Sequence, residues 1–92
     1  MTIRWSPEAR DDVDRLVDFM AVHDPALANE IEHRLEQAPK SLIQFPRRGS
    51  RLAMFDRREI REYRFDRYVL RYEVADSDII VLRFFHARED RR

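Results

Sequence analysis

The chain has 92 residues with 43% hydrophobic and 39% charged side chains, a formal net charge of zero and no cysteine. This length predicts a single domain over residues 1–92, and the lack of cysteine excludes disulfides and thiolate metal sites. There is neither a signal-peptide core nor a run of about 18 apolar residues, so we expect a cytoplasmic protein with no membrane partner. Residues 87–92 are expected to form a frayed tail.

The zero net charge hides an asymmetry between the two halves of the chain. Residues 1–45 carry a charge of −4 and residues 46–92 a charge of +4, and Lys40 is the only lysine. Arginine makes planar, two-pronged contacts with carboxylates and phosphates. The basic half therefore predicts a local contact with an anionic partner surface rather than nonspecific coating of nucleic acid.

The chain begins with a short strand that leads directly into a helix. Thr2–Trp5 is β-prone, and Ser6 then supplies an N-cap before Pro7 at the first helical position. Apolar residues recur at steps of three and four after this point, which predicts an amphipathic helix ending near His23.

A second helix repeats the same start signal, with Asp24 as the cap and Pro25 at the first position. The two helices are expected to form an antiparallel hairpin. Pro39 has no amide N–H and crowds the carbonyl of Leu35, so we expect the second helix to end or kink before it.

The C-terminal half changes to the period of strands. Residues 58–65, 68–74 and 78–86 are three β-rich runs, and the connections between them are too short for parallel crossovers. They predict a three-stranded antiparallel meander. The predicted fold class is therefore α+β, with an N-terminal strand, a helix hairpin and a meander, and with the helices on one sheet face.

Strict alternation places Arg71 and Arg83 on the sheet face that points away from the helices. Four apolar residues are expected on the same side: Val69, Ile79, Val81 and Phe85. An exposed apolar floor with arginines standing in it is typical of a partner-binding groove. A solvated sheet face is the alternative interpretation.

His86 and Arg88 follow the most hydrophobic strand. They either tie down the strand end, by pairing with Glu89, Asp90 or an acid of the first helix, or they belong to a contact surface. Endoribonuclease chemistry needs a base, an acid and cations. His86 can transfer a proton near neutral pH, but no second proton-transfer group is evident.

Motifs for other chemistries are absent from the sequence. The three histidines have no metal-ligand spacing, and the single glycine excludes a glycine-rich phosphate loop. We therefore expect no metal site and no cofactor.

The order of these segments resembles the RelE/ParE toxins of bacterial type II toxin–antitoxin modules. The resemblance covers essentially the whole chain, and five stretches carry it: WSPEARDDVDRLVDFM, DPALANEIEHRLEQ, FPRRGSR, IREYRFDRYVLRYEV and IIVLRFFHARED.

The resemblance implies one of two activities. RelE-like members cleave mRNA at the ribosome, using lysines, arginines and a C-terminal tyrosine or a His-Tyr pair. Here Arg61 and Arg83 match the family's basic strand positions and His86 would complete the catalytic set, but the lysines are missing and Ala87 follows the histidine. ParE-like members instead bind and poison DNA gyrase. Their ending, a histidine, one residue, an arginine and an acid, resembles residues 86–90.

We therefore expect a ParE-like gyrase inhibitor that acts by binding and is not an enzyme. A RelE-like endoribonuclease, or an inactive member that retains only antitoxin binding, is the alternative. The resemblance also implies a cognate antitoxin whose C-terminal segment folds onto the toxin. The toxin is expected to reach operator DNA only through that antitoxin.

Two groups of residues are expected to make these contacts. Target or partner binding is assigned to Arg61, Arg71, Arg83, His86 and Arg88. The antitoxin groove is assigned to the apolar floor of Val69, Ile79, Val81 and Phe85.

Overall fold

The computed structural model describes residues 1–89, which form two helices and five strands. The sheet has the order β1-β5-β4-β3-β2, and both helices pack on one of its faces. The predicted α+β class is confirmed. In chain order the elements are β1 (Thr2–Trp5), α1 (Pro7–His23), α2 (Pro25–Ser41), β2 (Ser50–Arg51), β3 (Glu59–Phe65), β4 (Tyr68–Ala75) and β5 (Asp78–His86).

Both helices start where the capping chemistry places them. The Ser6 hydroxyl oxygen accepts a hydrogen bond from the amide of Ala9 at 3.0 Å. The Asp24 carboxylate accepts one from the amide of Leu27 at 3.2 Å. Each cap satisfies an amide that has no partner within its own helix, so the two starts were predictable from local sequence.

An end of α2 before Pro39, one of the two predicted outcomes, is wrong, because the helix continues to Ser41. A proline in the last turn removes only one helical hydrogen bond, the one to the carbonyl of Leu35. Pro39, Leu35 and Leu42 are all fully buried, so the apolar burial offsets that loss. The Leu42 amide then donates to the Pro39 carbonyl at 3.0 Å and closes the helix.

The predicted meander is present and has a strand on each side. Asp66 and Asp76, in the two hairpin turns, both have a φ of 51°, a conformation that aspartate tolerates. The N-terminal strand β1 pairs in parallel with β5, from Thr2 opposite Asp78 to Trp5 opposite Val81. The parallel pairing and the two-residue strand β2 were not predicted.

The strict alternation predicted for β5 is wrong because the strand contains a β-bulge. Arg71 pairs with Arg83, but the residue after Arg71 pairs with Val81, so Leu82 is an extra residue. Because of the bulge, the residues of β5 before Leu82 lie on the opposite face from the one that strict alternation back from Arg83 predicts. Ile79 and Val81 therefore join the core beneath the helices instead of pointing outward.

The predicted exposed apolar groove is also wrong. Val69, Ile79 and Val81 are 0% exposed and Phe85 is 4% exposed. Ile79 and Val81 lie under the helices, whereas Val69 and Phe85 lie on the outer face. No open apolar floor exists at these four positions.

Candidate contact surface at the end of the sheet

Arg83 is held by a buried carboxylate of α1. The Asp12 side chain, 5% exposed, accepts from Nε of Arg83 at 2.7 Å and from the Phe84 amide at 2.9 Å. Burial alone would raise the pKa of the Asp12 carboxyl, but the hydrogen bonds from Arg83, Phe84 and Arg15 outweigh it and lower that pKa. Arg83 therefore joins α1 to β5 instead of standing free in solvent.

Arg15 extends this network to the end of the chain. Its guanidinium donates to Asp12 at 3.2 Å and to Glu89 at 2.9 and 3.0 Å. Glu89 also accepts from the His86 amide at 2.9 Å. Burial would raise the pKa of the Glu89 carboxyl, but the bonds from His86 and Arg15 lower it. Residues 87–89, expected to fray, are thus held in place; residues 90–92, including Asp90, lie outside the described residues.

Arg71 lies on the outer face and is also paired. Its Nε and Nη2 donate to Glu62 at 3.0 and 2.9 Å. The guanidinium carbons of Arg71 and Arg83 lie 5.3 and 4.9 Å from the ring centre of Phe85. Arg71 and Arg83 lie opposite each other on neighbouring strands, so their like charges would repel. A separate carboxylate for each arginine and the shared Phe85 ring stabilise both.

Arg61 lies on the helix side of the sheet, away from Arg71 and Arg83. Its guanidinium donates to Glu59 at 2.8 Å and to the Gly49 carbonyl at 2.7 Å. Bonds from Arg47 and Arg61 lower the pKa of the Glu59 carboxyl. The structure therefore does not bring Arg61 together with Arg83 and His86 as a cleavage site requires.

Three arginines gather at one end of the sheet, and no carboxylate of residues 1–89 pairs with them. Arg64 is the next-to-last residue of β3, and Arg67 lies in the turn that follows. The Ala87 amide donates to the Arg67 carbonyl at 2.8 Å, next to Arg88. All three arginines are exposed, and none forms an ion pair with another residue of 1–89. We call Arg64, Arg67, His86 and Arg88 the sheet-end surface.

His86 holds the backbone at the end of β5 and packs against a neighbouring aromatic ring. Its Nδ1 accepts from the Arg88 amide at 3.2 Å, and its ring meets Tyr68 edge-on with ring centres 5.6 Å apart. Burial raises the pKa of the Tyr68 hydroxyl, so it is a weaker acid than an exposed tyrosine. The surface can bind anionic groups, but it does not offer a paired acid and base.

A separate shallow groove of about 330 Å³ lies between α2 and β3. Tyr63 and Phe65 stack in it with ring centres 5.8 Å apart. Around these rings the groove is lined by His33, Arg34, Gln37, Ala38, Ser41 and Asp66. We call it the α2–β3 groove.

The acids that neutralise Arg61, Arg71 and Arg83 were not predicted from the sequence. Asp12 lies three residues after Ala9 and four before Leu16, and so falls within the apolar stripe of α1. A carboxylate on a buried helix face needs a cation or amide donors. The place of Asp12 in the apolar stripe was therefore the feature of the sequence that could have predicted its pairing. Arg67 was missed because only the folded turn places it beside Arg88.

Residues 1–89 lack two further features. No helix in this part of the chain combines the length and apolar character needed to span a membrane. Histidine and acidic side chains in the same residues form no group arranged to hold a metal ion.

The chain is similar to known proteins in both its sequence and its fold. Residues 3–91 match the model of the ParE toxin of the type II toxin–antitoxin system parDE. Toxin RelE1 of Caulobacter vibrioides is 31% identical over 90 residues, which cover 98% of this chain and 97% of that protein. Toxin RelE2 of the same organism is 35% identical over 83 residues, covering 90% and 91%. A structure from the chromosomal ParDE toxin–antitoxin system of P. aeruginosa has the same fold, with a TM-score of 0.79, 20% identity and coverage of 96% and 97%.

Proposed function

Because the chain belongs to the ParE toxin family of type II toxin–antitoxin systems, we propose that it inhibits DNA gyrase by binding and that a cognate antitoxin neutralises it. The sheet-end surface makes the contact with gyrase, in the cytoplasm. Operator DNA is reached only through the antitoxin.

The observation that carries this proposal is the difference between paired and unpaired arginines. Arg61, Arg71 and Arg83 are already bonded to carboxylates of this chain, so a target would have to displace those carboxylates to reach them. Arg67 and Arg88 have no such competitor among the described residues. We therefore assign target contact to the sheet-end surface and a structural role to the three paired arginines.

Binding is favoured over mRNA cleavage by the proton-transfer groups available. Cleavage of a phosphodiester needs a base and an acid on either side of the reacting phosphate. His86 supplies one such group, while Glu59 and Glu62 accept hydrogen bonds from arginines. The nearest tyrosine, Tyr68, is buried with a raised pKa.

For the antitoxin we propose the α2–β3 groove in place of the buried apolar residues named from the sequence. Its floor of Tyr63 and Phe65 is half-buried and apolar, and its rim is polar. This combination suits an extended or helical segment that orders on binding. Gln37→Trp, on the rim, is expected to weaken capture of the antitoxin, and Asn29→Trp, on the same helix outside the groove, serves as its control.

The gyrase proposal is tested by two assays on one preparation of the purified chain. We expect inhibition of supercoiling by purified gyrase and no cuts in ribosome-bound mRNA. Cuts phased with codons, with supercoiling unaffected, would instead establish the ribonuclease alternative. Absence of both activities, together with antitoxin binding, would identify an inactive member.

A further inference from the structure

Large apolar side chains are exposed at the tip of the helix hairpin. Phe19 is 67% exposed, Val22 82% and Leu27 39%. They lie in the last two turns of α1 and the first turn of α2, on either side of the Asp24 cap. We call these three residues the tip patch. Exposed clusters of large apolar side chains commonly mark contact sites.

A second exposed apolar site lies just beyond the other end of α2. Ile43 is 45% exposed and Phe45 57%. An open groove of about 520 Å³ surrounds Phe45 and is lined by Gln44, Phe45, Pro46, Arg47 and Arg48. We call this site the base groove.

The two sites carry opposite charges. Asp14 and Asp18 are exposed beside the tip patch, whereas Lys40 and Arg48 flank the base groove. None of these four forms an ion pair with another residue of 1–89. The Arg48 guanidinium instead rests 4.3 Å from the ring centre of Tyr63. Both sites are thus apolar, and their flanking charges are opposite in sign.

The spacing of the sites suits a symmetric pair. The 17 residues of α2 separate them by about 25 Å at 1.5 Å per residue. We infer that a second copy of this chain docks antiparallel along the hairpin, with the tip patch of each copy in the base groove of the other. This inference does not depend on the proposed gyrase or antitoxin contacts.

A second copy fits better than a single unrelated partner because one two-fold axis satisfies both sites at once. A single contact between the tip patch of one copy and the base groove of another is heterologous, and repeating it could build an open chain of copies. Two such contacts related by a two-fold axis instead form a closed dimer. Two contacts also bury twice the area of one, and stable interfaces bury at least about 1,200 Å² in total.

Sedimentation equilibrium of the full chain tests the inference. The apparent mass of the wild type is expected to rise with concentration towards twice the 11.2 kDa of one chain. A tip variant (Phe19→Ser with Val22→Ser) and a groove variant (Phe45→Ser) should each remain monomeric. An equimolar mixture of the two should associate more than either variant alone and less than the wild type, because it restores one of the two tip–groove contacts.

Met54→Ser is the matched control, since Met54 is 76% exposed and belongs to neither site. It should dimerise like the wild type, and circular dichroism should show all variants folded. A wild type that stays monomeric at every concentration, two variants that do not complement each other, or a control that loses dimerisation equally would overturn the inference. A monomeric wild type would indicate that a different protein covers the two sites.

Discussion

The Asp12 carboxylate lies 2.7 Å from Nε of Arg83 and 2.9 Å from the amide nitrogen of Phe84, next to the bulge in β5. Strand β1 ends opposite Val81, so the following part of β5 has no neighbouring strand on that side. Asp12 accepts the hydrogen bond of the Phe84 amide, which has no strand partner there, and neutralises Arg83 at the same time. One helix side chain thereby protects a strand edge and fixes a cation.

Removing this carboxylate should destabilise the domain strongly. Asp12→Ala leaves the Phe84 amide without its partner and Arg83 without its counter-ion, so we expect a loss of about 3 kcal/mol in the free energy of unfolding. Urea denaturation measures it. A double-mutant cycle with Arg83→Gln should show coupling between the two positions. Additive effects would mean that the pair is energetically unimportant.

Acid should unfold the protein through its paired carboxylates. The pKa values of Asp12, Glu59 and Glu89 lie below their ordinary values in the folded chain. Their contribution to stability is therefore complete above the unfolded pKa of about 4 and is lost as pH falls through the folded values. Stability measured by denaturation should drop steadily below about pH 4. Asp12→Asn should reduce that drop, and an unchanged pH profile would contradict this explanation.

Tyr72 fixes the connection between α2 and β2. Its hydroxyl donates to the Pro46 carbonyl at 2.6 Å and accepts from the Gly49 amide at 3.0 Å. Tyr72→Phe should cost about 1–3 kcal/mol, because a buried amide loses its acceptor. Thermal unfolding of this variant provides the measurement, and Tyr63→Phe, whose half-buried ring lies in the α2–β3 groove, is the control.

Gly49 should not tolerate a side chain. A Cβ atom there would lie 2.7 Å from the Glu62 carbonyl oxygen and 2.8 Å from the Tyr72 hydroxyl. Because the carbonyl belongs to the sheet backbone and cannot rotate away, Gly49→Ala should cost about 1–3 kcal/mol. Denaturation shows the loss, and a variant as stable as the wild type would mean that the connection can move aside.

Glu89 should act as a positioning residue for the sheet-end surface. Its carboxylate holds the His86 amide and is itself held by Arg15. Glu89→Ala should weaken gyrase inhibition while the protein stays folded, with a smaller loss of stability than Asp12→Ala, because it releases the backbone that carries Arg88 and removes only a part-exposed ion pair. Glu89→Gln retains a hydrogen-bond acceptor and should recover part of the inhibition. Equal inhibition by all three proteins would exclude a positioning role.

Local chemistry made much of the fold predictable. Helix starts at Ser6 and Asp24 depend on capping side chains within three residues, and the hairpin turns depend on short polar connections. The bulge at Leu82 was not predictable, because alternation within one strand contains no information about register with its neighbour. It reversed the assignment of Ile79 and Val81.

The functional assignment from sequence was limited because it depended on contacts between distant parts of the chain. Sequence shows where arginines are, but not which of them already have a carboxylate. Arg83 finds its partner 71 residues away in the chain. His86 and Arg88 remained candidates in the folded protein, whereas Arg61, Arg71 and Arg83 proved to be bonded internally.

The most direct test of the sheet-end surface is a comparison of charge reversals in the gyrase supercoiling assay. Arg67→Glu combined with Arg88→Glu is expected to raise the inhibitory concentration about tenfold or more, which corresponds to about 1.4 kcal/mol of binding free energy. Arg57→Glu reverses an exposed arginine elsewhere in the basic half and should leave inhibition unchanged. Equal inhibition by the double variant, the control and the wild type, with all three folded, would contradict the assignment of target binding to this surface.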